Sequence, residues 1–219
     1  MTQPVGLSGP ERPPARGGAP ARLVVLLHGL GADGGDLIGL ADAWAKLLPD
    51  AAFVAPDAPE PCDLAPMGRQ WFSLQSHTPA AIHAGVRGAA PVLARYLDAQ
   101  CARFGLPDER VGLVGFSQGT MMALYVALRR ARALGCVVGY SGALIGAESL
   151  GTELGARPPI LLVHGDADEV VPVGALHGAL AALGAAGVAV EWHVCRGLGH
   201  GIGADGLALG GRFLAERLA

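Results

Sequence analysis

Short, wholly apolar runs recur along this chain, and most are followed by a segment whose apolar residues fall at helical spacing. The first run covers residues 23–27 (LVVLL). A continuously hydrophobic strand is expected where both faces of a sheet are covered. Residues 36–48 then carry Leu37, Leu40, Trp44, Leu47 and Leu48, the spacing of one helix face. Further strands are expected at 52–55, 111–116, 135–140, 159–164 and 188–194, and helices at 118–132, 173–186 and 207–218. Thr78-Pro79 fits an N-cap and first helical residue. The helical face it opens runs through Ile82, Val86, Leu93, Leu97 and Phe104, and Pro91 is expected to kink or split it. Residues 57–78 hold several prolines and read as one long loop, of the kind that is usually functional or mobile. The alternation predicts an α/β fold: a mostly parallel central sheet with helices on both faces and right-handed crossovers. Residues 1–20 lack periodicity and read as an irregular or edge-strand lead-in, and 21–219 as a single domain.

Composition narrows the partners. The chain has 219 residues, enough for one sizeable core, and 51% hydrophobic against 16% charged residues marks it as globular. With a net charge of −3 and no basic stretch, nucleic acid and membrane surfaces are poor partners. Nothing approaches the run of about 18 apolar residues that a membrane span needs, so stable membrane insertion is not expected. The first twenty residues also lack the apolar core of a secretory signal. The four cysteines, Cys62, Cys101, Cys136 and Cys195, are scattered and form no Cys-x-x-Cys pair. A metal or disulfide framework is therefore not expected, and a reducing, cytoplasmic home fits best.

In an open parallel sheet, ligands bind beyond the carboxyl ends of the strands. Four such ends carry polar residues: His28-Gly29-Leu30-Gly31, Ser117, His164-Gly165-Asp166-Ala167-Asp168, and the loop 196–201 with His200. Gly115-Phe116-Ser117-Gln118-Gly119 stands after an apolar strand and before a helix. That is the pattern of a nucleophile held on a strained bend, where the flanking glycines let strand and helix crowd together. Such a serine needs a base, and the base needs a buried carboxylate to orient it. Ser117, Asp168 and His200 follow one another in the order that this topology uses. Asp166, directly after His164-Gly165, is suited to bonding backbone amides in the turn. Among the seven histidines, His200 lies between glycines in the last loop, while His28 and His164 end strands and read as structural. His193 lies within a strand pattern and reads as surface or packed; His77, His83 and His177 have ordinary solvated or packed roles. The oxyanion of an acyl-transfer intermediate would be met by the amide after the nucleophile, Gln118, and by one from HGLG, Leu30.

Five blocks carry a family resemblance: LVVLLHGLGADGGDLI, FVAPDAPEPCDLAPMGRQWFSL, VGLVGFSQGTMMAL, ILLVHGDADEVVP and GLGHGI. Together they resemble the bacterial phospholipase/carboxylesterase family, which is related to the acyl-protein thioesterases within the α/β-hydrolase fold. The resemblance spans about residues 20–218. It implies a serine hydrolase with no large lid domain, Ser117, Asp168 and His200 as a triad, and Leu30 and Gln118 as the oxyanion pair. It implies a small-molecule acyl ester, acyl thioester or lysophospholipid substrate, and it permits a homodimer. Met67, Trp71 and Phe72 are expected to line the acyl side of the cleft, while Arg69 reads more readily as a solvated or structurally paired charge. No metal or organic cofactor is implied, so chelation should leave activity unchanged. Two rival readings remain: a non-catalytic small-molecule binding protein on the same fold, and an acyltransferase using the same triad.

Overall fold

The computed structural model describes residues 6–219. The first five residues of the lead-in lie outside the described residues. In chain order the elements are β1 (Glu11–Arg12), β2 (Arg22–Leu27), α1 (Gly34–Ile38), α2 (Leu40–Trp44), β3 (Ala51–Val54), β4 (Glu60–Pro61), β5 (Arg69–Gln70) and α3 (Pro79–Phe104). They continue with β6 (Val111–Phe116), α4 (Gln118–Arg129), β7 (Cys136–Tyr140), α5 (Leu150–Glu153), β8 (Ile160–Gly165), α6 (Gly174–Ala185), β9 (Val190–Cys195) and α7 (Ala204–Arg217).

Seven strands form one sheet in the order β1-β3-β2-β6-β7-β8-β9. All neighbours run parallel except β1, which pairs antiparallel with β3. Alternate residues of each strand serve opposite faces, because the side-chain period is two. Leu23, Val25 and Leu27 enter one apolar core with Val86, Leu93 and Leu97 of α3 and the inner face of α4. Val24 and Leu26 enter the other, with Trp44 of α2 and Phe213 and Leu214 of α7. Both faces of the inner strands are covered, which is why β2, β3, β6, β7 and β8 read as apolar runs, whereas the edge strand β9 (VEWHVC) is partly exposed.

Three expectations change. The helix expected over 36–48 is two short helices that meet at Gly39, a poor helix former. Leu37, Trp44 and Leu48 still turn inward, but Leu47 is 45% exposed. Pro91 does not split its helix: α3 runs 26 residues from the Thr78 cap to the left-handed Gly105 (φ 66°). Pro91 and Arg87, whose carbonyl the proline leaves without a helical donor, are both exposed, so water can satisfy that oxygen. The loop 57–78 is partly ordered by the antiparallel pair β4–β5.

Candidate active site

The carboxyl ends of β2, β6 and β8 and the loop after β9 open on one cavity of about 580 Å³. At its floor, Ser117 joins β6 to α4 with φ 52° and ψ −116°. A non-glycine residue rarely holds such a backbone, at a cost of about 1–3 kcal/mol, and it persists only where surrounding structure enforces it. The enforcement is visible on both sides. A Cβ on Gly115 would lie 2.4 Å from the Thr120 amide nitrogen, and one on Gly119 would lie 2.0 Å from the Leu27 carbonyl oxygen. Only glycines let α4 start this close to β2 and β6. The Ser117 amide is fixed in turn by the Tyr140 carbonyl at 2.9 Å.

Asp168 follows β8, and its side chain is fully buried. Its Oδ1 accepts from the amides of Val170 (2.9 Å) and Val171 (2.8 Å), and its Oδ2 lies 2.8 Å from His200 Nδ1. Burial pushes this carboxyl up, but the His200 bond and the two amides together outweigh it and hold it below the usual carboxylate value. His164 Nε2 sits 2.7 Å from the Val171 carbonyl oxygen and 3.4 Å from Asp168 Oδ2, which steadies the same turn. Asp166 does bond a backbone amide, but across the sheet edge rather than in its own turn: it accepts from Gly197 at 2.6 Å and pins the loop that carries His200.

The His200 ring packs on Phe116, the residue before Ser117, with centroids 4.9 Å apart. Asp168 engages Nδ1, so Nε2 is the ring nitrogen left for the cavity. Ser117 Oγ has no hydrogen-bond partner among the described residues, although serine and imidazole line the same cavity. Such bonds are commonly long in free enzymes and tighten when substrate arrives. Leu30 and Gln118 line the same cavity as the serine, and their amides have no acceptor among the described residues. The Leu30 turn is held open by Gly31 (φ 78°), whose amide donates to the Arg69 carbonyl at 2.9 Å.

The expected acyl-side residues sit elsewhere. Trp71 and Phe72 are 2% and 4% exposed, Met67 is 80% exposed, and none of them lines the cavity. Phe72 packs so tightly on α3 that a Cβ on Gly85 would meet its ring at 3.0 Å. Trp71 Nε1 donates to the His28 carbonyl at 3.0 Å. Gln118 ties both to the nucleophile: its Oε1 accepts from the Trp71 amide and its Nε2 donates to the Phe72 carbonyl, each at 2.8 Å. These aromatics therefore brace the cavity floor from behind. Arg69 spends its guanidinium on the carbonyls of Ala58 and Pro59, closing the base of the same loop. His28 is fully buried, accepts from the Ala58 amide at Nε2 (2.9 Å) and lies 2.7 Å from the Gly29 carbonyl through Nδ1. Burial lowers its pKa, which suits a neutral structural histidine.

The apolar wall comes from Leu74, Ile82, Met121, Val171 and Ile202. Ile82 and Met121 lie near the N-terminal ends of α3 and α4, so their helical periodicity marks them as core and gives no sign of the cavity. A larger groove of about 890 Å³ lies between α3 and α4, away from the nucleophile. Its Arg129 and Arg130 are committed to Glu153, Asp98 and Asp108.

Residues 15–216 match the family model described as Phospholipase/Carboxylesterase. Esterase YpfH of Escherichia coli is 30% identical over 181 residues, covering 83% of this chain and 76% of the relative. Acyl-protein thioesterase 1 of Schizosaccharomyces pombe is 30% identical over 157 residues, covering 68% and 69%. The crystal structure of esterase PE8 superposes with a TM-score of 0.93 at 44% identity, covering 98% of this chain and all of that one. With its mostly parallel sheet and helices on both faces, this chain has the α/β-hydrolase fold; it belongs to the phospholipase/carboxylesterase family and is a hydrolase of the carboxylesterase/thioesterase type.

Proposed function

We propose that the chain hydrolyses carboxylic esters of small molecules through an acyl-enzyme on Ser117. In the first step Ser117 Oγ bonds to the acyl carbon while its proton passes to His200 Nε2. His200 returns that proton to the departing oxygen or sulfur as the bond to the leaving group breaks. A water then repeats the sequence and frees the acid. Asp168 keeps the proton on His200 Nδ1 and stabilises the imidazolium that forms. The amides of Leu30 and Gln118 donate to the oxyanion. One observation carries the reading: the buried Asp168 carboxylate holds His200 at 2.8 Å beside a serine forced to φ 52°.

The apolar wall suits short- to medium-chain acyl groups on esters, and the same machinery serves acyl thioesters and lysophospholipids. No cofactor takes part in these steps. We place the protein in the cytoplasm, in keeping with the absence, among the described residues, of a helix long and apolar enough to cross a membrane. Labelling with a fluorophosphonate probe tests the nucleophile: wild type should label and Ser117→Ala should not. Equal labelling of the two would end the assignment. A panel of p-nitrophenyl esters and thioesters of graded chain length then reads the acyl range directly.

A further inference from the structure

The loop that carries His200 leaves β9 at Cys195 and enters α7 at Ala204. Three metal-capable side chains meet at the foot of this loop, outside the cleft. His193 and Cys195 are two apart on β9 and so project from one face of it. That face is the one α7 covers, since Cys195 shares a core with Phe213 and Leu214. Asp205 stands in the first turn of α7. Its Oδ2 is 2.8 Å from His193 Nε2, and its Oδ1 accepts from Cys195 Sγ at 3.3 Å. One donor atom from each residue lies within 4.8 Å of the other two. None of the three lines the cavity that holds Ser117.

We propose that His193, Cys195 and Asp205 bind a borderline-soft divalent cation of the zinc type, and that the ion clasps the two ends of the His200 loop. The donor set argues for this class. Imidazole, thiolate and carboxylate together suit Zn²⁺ or Co²⁺, whereas Mg²⁺ and Ca²⁺ take oxygen ligands. Bonds of about 2.0–2.3 Å at tetrahedral angles set donor atoms about 3.3–3.8 Å apart. The ion takes one Asp205 oxygen: Oδ1 already stands at that span from Cys195 Sγ, at 3.3 Å, whereas His193 Nε2 now sits 2.8 Å from Oδ2 and must turn toward the ion by side-chain rotation. Charge also balances: a thiolate, a carboxylate and a neutral imidazole offset two positive charges. Binding breaks the Cys195 S–H bond and forms a metal–sulfur bond, with the proton released to solvent and no change of oxidation state. The His193 and Asp205 side chains are 37% and 55% exposed, so a cation arrives from their side, while Cys195, 3% exposed, closes the inner face. A fourth position faces water, as in other sites with three protein ligands.

The structural consequence is local. The loop is already stapled by Gly197 to Asp166 (2.6 Å), by Ala167 to the Leu198 carbonyl (3.1 Å) and by Ser141 Oγ to the Gly201 carbonyl (3.2 Å). The ion adds a closure at the base, and no reacting atom depends on it. Without metal-binding capacity, the same three residues form only a hydrogen-bonded cluster, His193 and Cys195 on the Asp205 carboxylate, and the two readings part in a titration with Co²⁺. The full-length protein should develop a near-ultraviolet thiolate-to-cobalt absorption that saturates at a single equivalent and is displaced by Zn²⁺. Cys195→Ser should abolish it, and Cys62→Ser and Cys101→Ser should retain it. His193→Ala should weaken Co²⁺ binding by about tenfold or more, with metal-free ester turnover unchanged as proof of folding. No thiolate band at millimolar Co²⁺, or a band that survives Cys195→Ser, overturns the site. Should Cys195→Ser fold poorly, His193→Ala decides, and an unchanged affinity refutes the proposal.

Discussion

Replacing Asp168 by Asn probes the site with the least change of shape. Asn keeps an oxygen where Oδ1 now accepts from the Val170 and Val171 amides at 2.9 and 2.8 Å, so the turn after β8 is preserved. The other limb changes sense. Oδ2, which lies 2.8 Å from His200 Nδ1, becomes an NH₂ that can only donate. Nδ1 must then accept, the ring proton moves to Nε2, and the nitrogen facing the cavity can no longer take a proton from Ser117. A tautomer reversed in this way costs about 10⁴ in kcat in serine hydrolases, which is about 5–6 kcal/mol of transition-state stabilisation. The assay is kcat for a short-chain p-nitrophenyl ester, with circular dichroism to confirm the fold and Asp166→Asn as the control. The Asp166 side chain touches the loop only through the Gly197 amide, and Asn still supplies an acceptor there, so that variant should stay within a few-fold of wild type. A pH series adds a second reading. Asp168 has its folded-state pKa lowered, so its contribution to stability is full above the ordinary value of 3.8 and is lost as pH falls through the folded one. Asp168→Asn should flatten that part of the acid limb. If folded Asp168→Asn retains kcat within tenfold of wild type, or if Asp166→Asn is the more damaged, the tautomer argument fails.

Gly119→Ala should destabilise by about 1–3 kcal/mol or more, because its methyl would sit 2.0 Å from the Leu27 carbonyl oxygen and must push β2 and α4 apart. An unchanged urea midpoint would show that the bend tolerates a side chain. Ile82→Trp and Met121→Trp, both on the cavity wall, should shift the preferred acyl length downward, whereas Met67→Ala, 80% exposed, should leave the chain-length profile unchanged. A profile that responds to Met67 and not to Ile82 or Met121 would move the acyl path to the outer loop. His28 is buried and neutral, and burial lowers its pKa from 6.5, so the unfolded chain binds its proton first. Stability should therefore rise with pH across the window just below 6.5, and His28→Gln should reduce that slope in denaturant titrations at stepped pH.

How much the sequence discloses follows from which interactions are local. The inner strands of the sheet, β2, β3, β6, β7 and β8, are legible because their two covered faces leave apolar runs, and Val24 and Val25 end in different cores without altering the pattern. The bend at Ser117 is legible because its two glycines are demanded by backbone contacts that a five-residue window already implies. The acyl wall is not. Ile82 lies at one helix start, Met121 near another, and Ile202 in a third loop; each obeys the rule of its own element, and only the packing of α3 beside α4 turns them toward one space. Trp71 and Phe72 mislead for the opposite reason. A scarce aromatic pair in a long loop has the look of a ligand surface, but the loop's polar bonds run inward to Gln118 and His28, and a ring whose backbone is anchored to the floor of a cavity cannot also line its open side.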